Sequence, residues 1–165
     1  NSGALGTATR QDVIRKLGTV LSKEGRPEGA FGRLALQVER IHRTETSTIF
    51  SLSKKATANK AVRQSGRQAK KRWVAVGDAR MRAAHRALNG VEIPFDEHFN
   101  VGPTGAAAKV SWEEAGRRGL AQGEKADVPL DPVLSPGQRI QCRCSWALVL
   151  GDPVAQTDEQ LLGIA

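Results

Sequence analysis

From residue 30 to about residue 65 the apolar side chains recur at helical spacing. Leu34, Val38, Ile41, Ile49, Leu52 and Ala56 fall three or four residues apart with a single gap, which predicts one long amphipathic helix. Glu45 fills the gap, one turn from both Ile41 and Ile49, with Thr44 and Thr48 beside it. Past Ala56 the pattern turns polar and basic, and Gly66 is the expected stop. Upstream, Val13, Leu17, Val20 and Leu21 give residues 12–21 a short amphipathic character before the Gly- and Pro-containing break at 25–29. Residues 1–28 therefore read as an arm or short helix.

The pattern then changes period. Residues 71–76 (KRWVAV) read as a strand turned by Gly77, and Asp78 is placed to cap a short helix over 79–88 that stops at Asn89-Gly90. Its inward face is Met81, Ala84, His85 and Leu88. Residues 91–94 are extended. Ser111-Trp112-Glu113-Glu114 fits a capping box at the start of a helix kept short by Gly116 and Gly119. Pro129, Pro132 and Pro136 make 127–137 a turn-rich loop. Residues 139–150 alternate best: Ile140, Cys142, Cys144, Trp146 and Leu148 share one face, with Gln141, Arg143, Ser145 and Val149 on the other. These elements predict an α+β fold, a long N-terminal helix plus short helices packed on a small antiparallel sheet. The expected organisation is an arm (1–28), the main domain (29–150) and a C-terminal tail (151–165).

Composition narrows the picture. Hydrophobic residues are 39% of the 165, aromatics only 4%, and tyrosine is absent. The core must be largely aliphatic, with Trp73, Trp112 and Trp146 as its large anchors. No apolar run approaches membrane-spanning length, and the small, polar N-terminus carries no secretory signal. The first residue is not Met, so the chain reads as processed or as a piece of something longer. Twenty-five Lys and Arg against 17 Asp and Glu give a net charge of +8, which suits a polyanionic neighbour or simply keeps a small domain soluble. The densest basic run is Lys54, Lys55, Lys60, Arg63, Arg67, Lys70, Lys71 and Arg72. It is either a solvated helix end or a contact for DNA or an acidic protein surface. Cys142 and Cys144 are too close for an unstrained disulfide in an extended strand and read as free thiols.

Three chemical readings compete over the remaining polar residues. Cys142, Cys144, His85 and also His98 are zinc-ligand types, but one Cys-X-Cys pair is a weak spacing signal, and core packing of the two cysteines is the favoured reading. A nuclease or transferase built on Glu45, His85 and the arginines lacks a carboxylate cluster, a phosphate-cradling loop or a nucleophile motif. The third reading is structural. Glu45, interrupting an apolar stripe, needs a partner, and Arg82 or His85 is expected to supply it and pin the short helix to the long one. Arg143 is expected to be exposed or paired across the sheet. Neither catalytic residues nor a cofactor are expected.

Several blocks, in order, carry a family resemblance. They are Arg43-Thr44-Glu45, Lys71-Arg72-Trp73, the run from Asp78 to His85, Leu88-Asn89-Gly90, the run from Ile93 to Phe99, and Gln141-Cys142-Arg143-Cys144. Together they resemble the phage Mu protein F-like domain, also met as the SPP1-type head morphogenesis domain. Gln141 departs from the Asn common in the family. The resemblance implies a minor capsid protein near the portal or inner head, acting in capsid assembly, DNA packaging or DNA delivery. Its partners would be the portal protein, the major capsid protein and packaged double-stranded DNA. It would sit in the virion, after assembly in the host cytoplasm. The structural motif residues would be Glu45, Trp73, Asp78, Arg82, His85, Cys142, Arg143 and Cys144. The alternative is a DNA-processing or toxin-type effector, or its carrier domain, packaged in the head; the 21 residues after Cys144 are too few for a toxin domain.

Overall fold

The computed structural model describes residue 12 and residues 30–153, with side-chain placement over residues 36–152 of the latter. The arm at 1–28, apart from a helical Asp12, the side chain of Leu34, and the tail from residue 154 lie outside the described residues. The chain divides into two compact units, 1–46 and 47–165, and the division falls inside helix α1, Ala30–Ser65. Helix α1 ends where the pattern predicts. Gly66 takes φ +58°, the left-handed conformation that glycine reaches without a Cβ penalty.

The buried face of α1 is not the predicted apolar stripe. In the first unit Val38 and Thr44 are buried, whereas Ile41 is 62% exposed and Glu45 lies open on the surface. In the second unit Thr48, Ser51 and Ala58 are buried, while Ile49 is 64% exposed and Leu52 and Ala56 are also exposed. The reason is hydrogen bonding. Thr48 Oγ1 donates to the Leu130 carbonyl (3.3 Å) and Ser51 Oγ to that of Pro129 (2.9 Å). The loop over 128–131 presents backbone carbonyls that only polar side chains can satisfy.

Strand β1 (Arg67–Val74) is the centre of a three-stranded antiparallel sheet, flanked by β2 (Glu92–Pro94) and β5 (Ser145–Pro153). It begins four residues earlier than its apolar signal at residue 71, because its first half is basic. Its register opposes Trp73 to Trp146 and Lys71 to both Ile93 and Leu148. Lys71 and Trp73 point inward while Lys70, Arg72 and Val74 point outward, the period-2 alternation of a half-buried strand. Strands β3 (Phe99–Val101) and β4 (Glu124–Ala126) form a second, two-stranded sheet. Between them run a 3₁₀ turn (Gly105–Lys109) and helix α3 (Trp112–Arg117). The cap of α3 is the expected one: Ser111 Oγ accepts from the Glu114 N–H at 3.1 Å. The Glu114 carboxylate turns to Arg117 and Arg118 instead of closing the box.

Helix α2 covers only Ala83–Leu88 and starts at Arg82 without a side-chain cap. Asp78 instead organises the preceding turn, its carboxylate accepting from the Arg80 N–H (3.1 Å). The stretch read as one strand over 139–150 is also divided. Pro136–Arg139 forms a short helix, α4. Gln141 then adopts φ +58°, which ladder pairing does not accommodate, so β5 starts only at Ser145. Ile140 accordingly leaves the inward face and is 43% exposed. Alternation does persist from Cys142 to Trp146, with Cys142, Cys144 and Trp146 buried and Arg143 and Ser145 exposed. One apolar cluster gathers around Trp73 with Leu88, Phe99, Val101, Cys142 and Cys144. A second gathers around Trp146 with Ala58, Phe95 and Val128. The α+β expectation, with its long helix, short helices and small antiparallel sheets, holds.

Candidate functional site

His85 occupies the last turn of α2 and is buried, 1% exposed. The edge of its ring meets Trp73, with centroids 5.6 Å apart at 71°, and Trp73 meets Phe99 in the same way at 5.1 Å. This aromatic stack fixes the imidazole plane. Its Nε2 lies 3.0 Å from Gln138 Oε1 in α4. An amide oxygen can only accept, so Nε2–H donates to Gln138 and Nδ1 is the ring nitrogen left to face the interior of the site. Nδ1 faces two sulfurs, Cys142 Sγ at 3.5 Å and Cys144 Sγ at 3.4 Å. Residues nearly 60 positions apart thus converge on one point.

The left-handed turn at Gln141 brings the cysteines there. The Cys142 N–H closes that turn by donating to the Arg139 carbonyl at 3.0 Å. Arg82 holds it from the other side, donating to the Ile140 carbonyl at 2.6 Å. The two thiols differ electrically. A hydrogen bond from the Cys144 thiol, helped by the Cys144 backbone N–H and by the charges of Arg82 and Arg143, lowers Cys142 to about 7 against the opposing effect of burial. The same thiol–thiol bond, with burial, pushes Cys144 up. A shallow pocket opens over the group, lined by Val76, Arg80, Met81, Arg82, Gln141 and Arg143 as well as His85 and the cysteines. Arg143 is exposed and pairs with Asp78 at 2.5 Å, and this hydrogen bond holds the Asp78 carboxyl below its ordinary value. Among the described residues, His85, Cys142 and Cys144 are the one group of His, Cys and acidic side chains placed to share a metal ion. His98 belongs elsewhere: its Nδ1 pairs with Glu113 Oε1 at 2.8 Å.

Glu45 is exposed together with Ile41 and Ile49 of its stripe, and both ring nitrogens of His85 are engaged by Gln138 and the cysteines. The carboxylate that answers a buried cation in this fold is the partly exposed Asp127, which the sequence reading passed over. Lys71 is 0% exposed and forms an ion pair with Asp127, and Lys55 Nζ joins the same carboxylate at 2.9 Å. Burial pushes the Asp127 carboxyl up, but the bonds and charges of Lys71 and Lys55 outweigh it and leave the group lowered. Burial dominates at Lys71, which falls from 10.5 to about 8 despite Asp127.

The predicted basic contact run therefore splits. Lys71 is sealed in the core. Lys55 caps the Phe95 carbonyl (2.9 Å) and lies over the Phe95 ring at 3.9 Å, and Lys54 donates to the Trp146 carbonyl. Arg72 is exposed but held by Glu92 at 2.8 Å. Lys60, Arg63, Arg67 and Lys70 remain on the surface. Gln138, which sets the His85 tautomer, was missed too. Its position before the Cys-Arg-Cys turn carries no signal until the fold brings α4 to α2.

Among the described residues no helix is long and apolar enough to cross a membrane. No curated protein and no solved structure matches the chain. Residues 10–147 match the family described as Phage Mu protein F like protein, a span that takes in β1, α2, the Gln141 turn and the start of β5. The chain belongs to the phage Mu protein F-like family and is a phage head-morphogenesis-type protein.

Proposed function

We propose that the protein is a minor component of the phage head, docked on the portal or the inner shell during capsid assembly, and that it acts in DNA packaging or delivery. The family match over residues 10–147 carries this reading. Two surface features support it. Helix α1 exposes Ile49 and Phe50, at 64% and 68%, apolar area of the kind protein partners cover. Further along the chain, Lys60, Arg63, Arg67 and Lys70 carry exposed positive charge suited to packaged double-stranded DNA. The role is conformational and interactive, with no catalytic step assigned to any residue. Cryo-electron tomography of particles carrying a tagged copy tests it. The expected result is label at the portal vertex or inner wall of filled heads; label absent from every particle class would refute it.

A further inference from the structure

We infer that His85, Cys142 and Cys144 form a zinc site that cross-links helix α2 to the turn preceding β5. The inference goes beyond the role in the head and is independent of it. Zinc bonds of about 2.3 Å to thiolate and 2.0–2.1 Å to imidazole place a sulfur and a ring nitrogen about 3.5 Å apart along a tetrahedral edge. The two distances from Nδ1 are 3.5 and 3.4 Å, and all three donor atoms lie within 4.8 Å of one another.

The surroundings also fit. A zinc-bound imidazole ordinarily donates its other N–H to an acceptor that fixes its orientation, and Gln138 Oε1 occupies that place at 3.0 Å. The Cys144 backbone N–H points at Cys142 sulfur, as backbone amides do when they stabilise a metal-bound thiolate. Without a metal the three groups are held to one another only through sulfur, a poor hydrogen-bonding partner. A bound cation uses all three donors at once. Two thiolates also neutralise a divalent ion, so the complete site buries no net charge. Soft sulfur donors with one imidazole select zinc over magnesium or calcium. The fourth ligand, a water or a partner's side chain, enters from the pocket between Arg82 and Arg143.

The test uses the purified, reduced full chain exposed to zinc and then freed of excess metal. Mass spectrometry of the metal should find one zinc per chain, and cobalt in its place should give the thiolate charge-transfer band and intense visible absorption of a tetrahedral site. Cys142→Ser and Cys144→Ser should abolish both signals, and His98→Ala should leave them unchanged. Because a lost cysteine could unfold the chain, Gln138→Leu provides a milder arm that keeps every ligand. It should weaken zinc affinity about 10- to 100-fold with circular dichroism unchanged. Retention of no metal by the wild-type chain would overturn the proposal. So would zinc binding that survives the double cysteine variant, or a Cys142–Cys144 disulfide as the stable reduced-buffer state.

Discussion

Under α1, the ammonium groups of Lys71 and Lys55 converge on the Asp127 carboxylate. Two residues further along β1, Trp73 leans on His85, whose Nδ1 faces the thiols of Cys142 and Cys144. Both are polar clusters drawn into a core from distant parts of the sequence, yet they differ in self-sufficiency. The first carries opposite charges that answer one another, and its lysines also reach carbonyls and aromatic faces. The second turns three metal-ligand atoms, two sulfurs and a ring nitrogen, toward a common point. The difference separates a clamp from a binding site more clearly than residue type does, since His and Cys alone would have passed as core.

Breaking the clamp should have the largest effect. Asp127→Ala leaves Lys71 buried without its counter-charge, and removing one partner of a buried pair typically costs about 3–5 kcal/mol. With Asp127 itself partly exposed, a loss of about 3 kcal/mol in urea denaturation is expected, independent of zinc. Next comes the thiol cluster. Cys142→Ser should forfeit the stabilisation that zinc confers, about 2.7 kcal/mol when the ion is present at a hundred times its dissociation constant. In chelator the same substitution should cost much less, which is the sharpest contrast with Asp127→Ala. The Ser111→Ala change, remote from both clusters, removes a helix cap and should cost about 1 kcal/mol, leaving zinc affinity untouched.

The clamp also predicts a pH dependence. Lys71 sits at about 8 in the folded chain against 10.5 ordinarily. Between those values the unfolded chain binds more protons at this residue, so stability should rise with pH across the window and be flat below it on this account. Denaturation midpoints at pH 7 through 10 measure this. Lys71→Met should remove the rise; a rise that persists in that variant would assign it to another group.

Much of the architecture is legible in the sequence where local chemistry decides. The stop at Gly66, the Ser111 cap and the inward alternation from Cys142 to Trp146 all follow from residue type and spacing. The failures share a cause: partners far away in the chain. Apolar periodicity put Ile41 and Ile49 inside α1, but the loop carbonyls at Pro129 and Leu130 call for Thr48 and Ser51 there. Lys71 reads as a surface cation until Asp127, 56 residues on, arrives beside it. The ligand types of the thiol cluster were visible, while their convergence was not. It depends on the left-handed Gln141, which diverts residues 142–144 out of the strand that alternation predicts.

The most direct measurement of the contrast between the clusters is thermal unfolding of the wild-type chain, Asp127→Ala and Cys142→Ser, each with excess zinc and with chelator. The predicted result is a melting temperature raised by zinc in the first two and unmoved in the third. Equal response of all three chains, or no response in the wild type, would contradict it.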